Sequence, residues 1–255
     1  MPELSLLGDT ETDSGLGREL KNMHTPIIVA LDYDELNSAK KFVDQINPTT
    51  CQVKVGKGMF TRFGPTWVRW LIQRGFRVFL DLKFHDIPKT VADACRAAAD
   101  LGVWMLNVHV CGGEVMLQAA RSALESYRPA ERPLLIGITL LTSLHRSDLT
   151  ALGITDTIPH IVNRYAKLAA ATGLDGVVCS AQEVVQIKKN CGHAFLTVTP
   201  GIRLAHDASD DQKRIVTPEE ALAAGADYLV IGRSITKAKN PILILQQLLK
   251  PGIAP

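Results

Sequence analysis

From Pro26 onward the chain repeats one pattern: a short apolar or β-branched run, a polar break, then a stretch with apolar residues at helical spacing. The runs are Ile27–Asp32, Cys51–Val55, Arg77–Lys83, Trp104–His109, Leu134–Thr139, Gly176–Cys179, Phe195–Thr199 and Tyr228–Ile231. Helical spacing fills the intervals, as at Glu35–Ile46, Pro65–Gln73, Val91–Asp100, Gly113–Ser126, Thr157–Ala171 and Pro218–Ala223. Strands this continuously apolar are buried on both faces, which predicts an α/β fold with a parallel sheet covered by helices. Eight such units in 255 residues predict a closed (β/α)8 TIM barrel. An open doubly wound sheet would carry a Gly-rich phosphate turn after its first strand, whereas Asp32-Tyr33-Asp34 stands there. No long linker interrupts the pattern, so residues 22–255 read as a single barrel domain. Residues 1–21 are polar, with Asp9, Glu11 and Asp13, and read as a loosely ordered tail without a signal peptide.

Composition narrows the partners. Lys and Arg number 28 against 26 Asp and Glu, a net charge of +2 that argues against a polyanion-binding surface, so neither nucleic acid nor membrane is expected. The five cysteines, Cys51, Cys95, Cys111, Cys179 and Cys191, are dispersed, odd in number and lack a C-x-x-C pair. They read as buried thiols of a cytoplasmic protein rather than as a disulfide or metal framework.

In a barrel of this type the chemistry sits at the C-terminal strand ends, and these can be read off. The decapeptide Asp81-Leu82-Lys83-Phe84-His85-Asp86-Ile87-Pro88-Lys89-Thr90 places three charged residues directly after Val78-Phe79-Leu80. Alternation along a strand puts Asp81 and Lys83 on one face, and buried charge costs several kcal/mol unless compensated. A structural ion pair and a functional site both fit that stretch alone. Asp32 ends the first run, and Lys54 shares an inward face with Gln52 while Val53 and Val55 face the helices. Four ionisable groups from three strands thus converge. Thr139 to Ser143 follow the fifth run, Thr199 to Arg203 the seventh, and Ile231-Gly232-Arg233-Ser234 the eighth. The last reads as a phosphate site, with a helix start and an arginine fork. The polar loop 201–216 reads as a lid or binding loop, and His85 and His109 read as structural histidines. Lys54 and Lys83 interleave with Asp32, Asp81 and Asp86 where a divalent cation would have to sit, so no metal is expected.

These residues resemble the orotidine 5′-phosphate decarboxylase family in its bacterial form, from about Pro26 to the C-terminus. The most specific piece is Asp81-Leu82-Lys83-Phe84-His85-Asp86-Ile87-Pro88-x-Thr90; Ala30-Leu31-Asp32, Lys54-Val55-Gly56-Lys57, Leu141-Thr142-Ser143, Thr199-Pro200-Gly201-Ile202-Arg203, Asp211-Gln212 and Ile231-Gly232-Arg233 support it. The resemblance implies conversion of orotidine 5′-phosphate to UMP without a cofactor, in a homodimer. It implies that Lys83 stabilises and protonates a C6 carbanion, with Asp81, Lys54 and Asp86 as its charge partners. It further implies ribose contacts from Asp32 and Lys54, a pyrimidine contact from Thr142, and phosphate contacts from Arg203, Gln212, Gly232 and Arg233. Asp86 and Thr90 would enter the neighbouring subunit's site. Two other functions remain open: a Mg²⁺-dependent barrel acting on a keto-sugar phosphate, which shares Asp-x-Lys-x-x-Asp, and a non-catalytic nucleotide-phosphate binder.

Overall fold

The computed structural model describes residues 25–204 and 216–249; the expected tail, residues 1–21, lies outside them. Eight parallel strands close into a barrel in sequence order: β1 (Ile27–Leu31), β2 (Gln52–Gly56), β3 (Val78–Phe84), β4 (Met105–His109), β5 (Leu134–Ile138), β6 (Gly176–Val178), β7 (Leu196–Thr199) and β8 (Tyr228–Ile231), with β8 returning to β1. The helices are α1 (Leu36–Val43), α2 (Lys57–Gln73), α3 (Pro88–Asp100), α4 (Glu114–Ser122), α5 (Arg146–Ala151), α6 (Ile158–Ala171), α7 (Val184–Cys191), α8 (Pro218–Ala223), α9 (Arg233–Thr236) and α10 (Pro241–Leu248). The (β/α)8 TIM barrel read from the repeating pattern is therefore the fold.

Period-two alternation sorts the strand residues into two cores. Ile28, Ala30, Phe79, Met105, Leu134, Ile136, Val198 and Val230 fill the barrel, while Val29, Leu31, Val53, Val55, Leu80, Leu106 and Val108 meet the helices. Helix starts follow local chemistry. Pro88, Pro218 and Pro241 occupy first-turn positions where no N–H is needed. Thr217 and Glu220 cap α8 reciprocally, the Thr217 hydroxyl accepting from the Glu220 N–H and the Glu220 carboxylate from the Thr217 N–H. The helix expected at Pro65–Gln73 is the second half of α2. Gly64, at φ 62°, breaks an otherwise continuous run from Lys57, a backbone that glycine adopts without strain.

The N-terminal end of the barrel is locked by carboxylates. Asp227 accepts from the Thr197 N–H at 2.6 Å and from Lys188 at 2.6 Å, and Asp175 from the Leu135 N–H at 2.8 Å and Arg121 at 3.1 Å. Polar stabilisation at this end leaves the opposite end free for chemistry. Among the described residues no helix is long and apolar enough to cross a membrane. The thiols need one correction. Cys51, Cys95 and Cys179 are buried, and burial pushes Cys51 and Cys95 up to about 12, but Cys111 is exposed and Cys191 half-buried. Cys111 follows the end of β4, outside the alternation that buries strand residues.

Candidate active site

At the C-terminal end of the barrel a cavity of about 310 Å³ opens among the strand ends. Ala30, Phe79, Ile138, Val198 and Val230 form its apolar walls, and Asp32, Lys54, Asp81 and Lys83 its charged side. The four charges alternate. Lys54 Nζ lies 3.8 Å from Asp32 Oδ1 and 3.1 Å from Asp81 Oδ2, and Lys83 Nζ lies 2.5 Å from Asp81 Oδ1. Lys54 and Asp81 side chains are only 11% and 10% exposed, so this is a pair held largely out of water, where charge interactions are strong.

Burial on its own would raise the Asp81 pKa. The Lys54 and Lys83 charges and hydrogen bonds from Lys83 and Asn107 outweigh it and hold the carboxyl below the usual range. Asp81 is thus held in its carboxylate form.

Lys83 reaches Asp81 by a route that strand alternation does not contain. Its φ is 53°, the only positive φ outside glycine among the described residues. The β3–β4 ladder pairs Phe79 with Met105 and Leu80 with Leu106, then jumps to Phe84 with Val108. Asp81, Leu82 and Lys83 therefore stand opposite Asn107 alone, a bulge that curls Lys83 back over Asp81. Asn107 is fully buried. Its amide donates to Asp81 Oδ1 at 2.7 Å, and its carbonyl oxygen accepts the Lys83 backbone N–H at 2.7 Å. In the sequence Asn107 falls inside the run Trp104–His109 with nothing to single it out but an amide at an inward position, which must find partners when buried.

The other expected residues fall in three groups. Thr142 lines the cavity rim, and Gly232 lines it at the start of α9. A Cβ on Gly232 would meet Ala30 at 3.6 Å, an ordinary contact, so internal packing does not require glycine there. Arg233 is exposed and Arg203 half-buried; neither lines the cavity among the described residues. Ile202 and Val216 pair where the 201–216 loop departs and returns, with the Arg203 N–H donating to Val216 O at 3.2 Å. Gln212 lies outside the described residues. Asp86 and Thr90 are exposed, and Asp86 Oδ1 accepts the Ile87 N–H at 2.7 Å. Within one chain the alternating array is Asp32–Lys54–Asp81–Lys83, and Asp86 is not part of it, because the β3–α3 turn carries it outward to solvent. His109 packs 5.5 Å from His85, ring to ring. Burial, then the His85, Lys57 and Lys83 charges, lower its pKa to about 4 against the opposing pull of Asp81.

The sequence matches the profile described as the Orotidine 5′-phosphate decarboxylase / HUMPS family over residues 25–248. A protein of Vibrio cholerae named orotidine 5′-phosphate decarboxylase is 57% identical over 222 residues, covering 87% of this chain and 96% of the relative. One of Legionella pneumophila with the same name is 53% identical over 228 residues, covering 89% and 99%. Among solved structures, orotidine 5′-phosphate decarboxylase from Lactobacillus acidophilus superposes with a TM-score of 0.78 at 36% identity, covering 88% of this chain and 96% of that one. An uncharacterized conserved protein from Geobacillus kaustophilus gives 0.77 at 40%, covering 88% and 100%. With the barrel, the buried charge array and near-complete alignment to these relatives in agreement, the chain belongs to the orotidine 5′-phosphate decarboxylase / HUMPS family.

Proposed function

We propose that the protein is a carboxy-lyase that converts orotidine 5′-phosphate to UMP and CO₂, the last step of UMP synthesis, without a cofactor. The observation that carries this reading is the Lys54–Asp81–Lys83 array at the edge of an apolar cavity. Breaking the bond from C6 to the carboxylate leaves its electron pair in an sp² orbital orthogonal to the ring π system. Stabilisation has to come from outside the ring, and a fixed ammonium in a low-dielectric site supplies it. As CO₂ leaves, a Lys83 N–H proton moves to C6 to give UMP, and solvent reprotonates the amine. Asp81 stands beside the substrate carboxylate and, with Lys54, keeps the Lys83 side chain aimed.

Magnitude assigns work to the rest of the site. A unit charge pair at about 4 Å and an effective dielectric of about 20 is worth about 4 kcal/mol, or about 10³ in rate. The remainder comes from preorganisation and from phosphate binding directed into loop closure. In this reading Gly232 and Arg233 hold the phosphate with Arg203 and Gln212, Thr142 meets the pyrimidine edge, and Asp32 and Lys54 take the ribose hydroxyls. Asp86 and Thr90, exposed in the single chain, would complete the partner subunit's site in a cytoplasmic homodimer of barrels spanning residues 22–255.

The family description carries a second name, HUMPS, beside the decarboxylase, and the competing reading is a Mg²⁺-dependent barrel acting on a keto-sugar phosphate. Lys54, lying between Asp32 and Asp81, favours the decarboxylase over a cation-dependent reaction at those carboxylates. The two are separated by offering the protein orotidine 5′-phosphate and, separately, a 3-keto-hexulose phosphate. Release of CO₂ from the first alone is expected; carbon–carbon cleavage of the second without action on the first would overturn the proposal.

A further inference from the structure

We infer that Asn107 is the positioning residue of the site: it fixes the bulged backbone of Lys83 and the orientation of the Asp81 carboxylate at once, and catalysis depends on its amide. The inference rests on the decarboxylase reading and adds to it a residue with no assigned part in the reaction.

Three observations meet at this side chain. The first is the ladder. Three residues of β3 face one of β4, so the Lys83 N–H has lost its strand partner, and the Asn107 carbonyl oxygen takes that place at 2.7 Å. A buried N–H without an acceptor would disfavour this backbone. The second is the conformation of Lys83. A lysine at φ 53° needs its surroundings to over-determine it, and the hydrogen bond its N–H donates to Asn107 restrains the strained backbone directly. The third is charge. Asp81 Oδ1 already meets Lys83 at 2.5 Å and also receives the Asn107 amide at 2.7 Å. One oxygen thus carries two donors, which fixes the carboxylate plane toward the lysine.

A carboxamide satisfies both neighbours. The site needs an acceptor for the Lys83 N–H and a donor for the Asp81 carboxylate on one short side chain, and the two partners together fix which way the amide faces. Aspartate keeps the acceptor but sets a second carboxylate against Asp81, and leucine keeps the volume but neither bond. A side chain with no accessible surface and no place in the cavity lining cannot touch substrate, so its effect runs through Lys83 and Asp81.

The test uses the full-length enzyme and the variants Asn107→Ala and Asn107→Asp. Steady-state decarboxylation of orotidine 5′-phosphate, UMP affinity by calorimetry and the Asp81 carboxyl midpoint by ¹³C NMR are measured for each. Loss of one charge-assisted hydrogen bond predicts a fall in kcat of about 10- to 100-fold, with UMP affinity within about threefold of wild type. In Asn107→Ala the Asp81 midpoint should rise, because a donor to the charged form is gone. A folded variant with wild-type kcat, a loss of UMP affinity that parallels kcat, or an unmoved Asp81 midpoint would each overturn the inference. Should both variants fail to fold, amide exchange in the wild-type protein decides: the Lys83 N–H should be strongly protected, and rapid exchange would refute its bond to Asn107. A wild-type protein inert toward orotidine 5′-phosphate would refute the reaction. The Asp81 midpoint and Lys83 exchange would still report on the positioning.

Discussion

Lys83 does two separable things, and replacing it by alanine and by glycine pulls them apart. Its ammonium stands 2.5 Å from Asp81 Oδ1, and its backbone is held at φ 53°. An ammonium about 4 Å from a developing carbanion, at an effective dielectric of about 20, contributes about 4 kcal/mol, and loss of the general acid removes a further ~10²-fold or more. Both variants should therefore lose at least about 10³-fold in kcat. UMP affinity should stay within about threefold, since the group acts on the transition state. Stability should divide them the other way. A left-handed backbone costs a non-glycine residue roughly 1–2 kcal/mol, against roughly 0.5–1 kcal/mol for the extra freedom of an unfolded glycine. Lys83→Gly should then be more stable than Lys83→Ala by about 0–1.5 kcal/mol, or up to a few degrees in Tm for a chain of this size. Decay of substrate absorbance, UMP titration calorimetry and thermal unfolding measure the three quantities. Retention of a tenth of wild-type kcat by either variant would refute the role of the ammonium. A glycine variant melting well below the alanine variant would refute the strain argument.

Arg233→Ala should raise KM for orotidine 5′-phosphate by about 10²-fold, the worth of a bidentate charged contact, and leave turnover of phosphate-free orotidine nearly unchanged; equal losses with both substrates would show that it does not hold phosphate. Lys83→Ala and Asp86→Asn, each inactive alone, should recover about a quarter of wild-type activity when refolded together, since half the dimers are mixed and half their sites intact. No recovery despite mixed dimers seen by mass spectrometry would place Asp86 in its own subunit's site. His109, pushed down to about 4 chiefly by burial, binds fewer protons folded than unfolded between about pH 4 and 6.5. Its contribution therefore makes stability rise with pH across that window and stay flat above it. Its imidazole resonances should not move between pH 6.5 and 8 in NMR spectra, and a midpoint above 6 would contradict the packing described.

The barrel was legible because its strands are buried on both faces, and continuous apolar runs at regular intervals admit few architectures. The charged strand ends were legible for the converse reason: Asp81 and Lys54 at inward positions are too costly to be incidental. What alternation could not give is the path of β3. Regular pleating places Asp81 and Lys83 side by side, yet the structure brings them together through a bulge and a left-handed lysine. That bulge depends on what β4 presents opposite it, namely Asn107, and a contact across 24 residues leaves no local pattern. The break at Gly64 was hidden similarly, since Gly-Pro reads equally well as a helix start and as an interruption. Asp86 and Thr90 point to solvent in one chain, and the part proposed for them requires a second copy.

The central claim is that this chain removes CO₂ from orotidine 5′-phosphate and delivers a proton to C6 with side chains alone. Its most direct test is to incubate the purified protein with orotidine 5′-phosphate in D₂O containing a chelator and to follow the nucleotide by ¹H NMR. The account predicts complete conversion to UMP carrying one deuterium at C6, with one CO₂ released per nucleotide consumed. Unaltered orotidine 5′-phosphate, or turnover that the chelator abolishes, would contradict it.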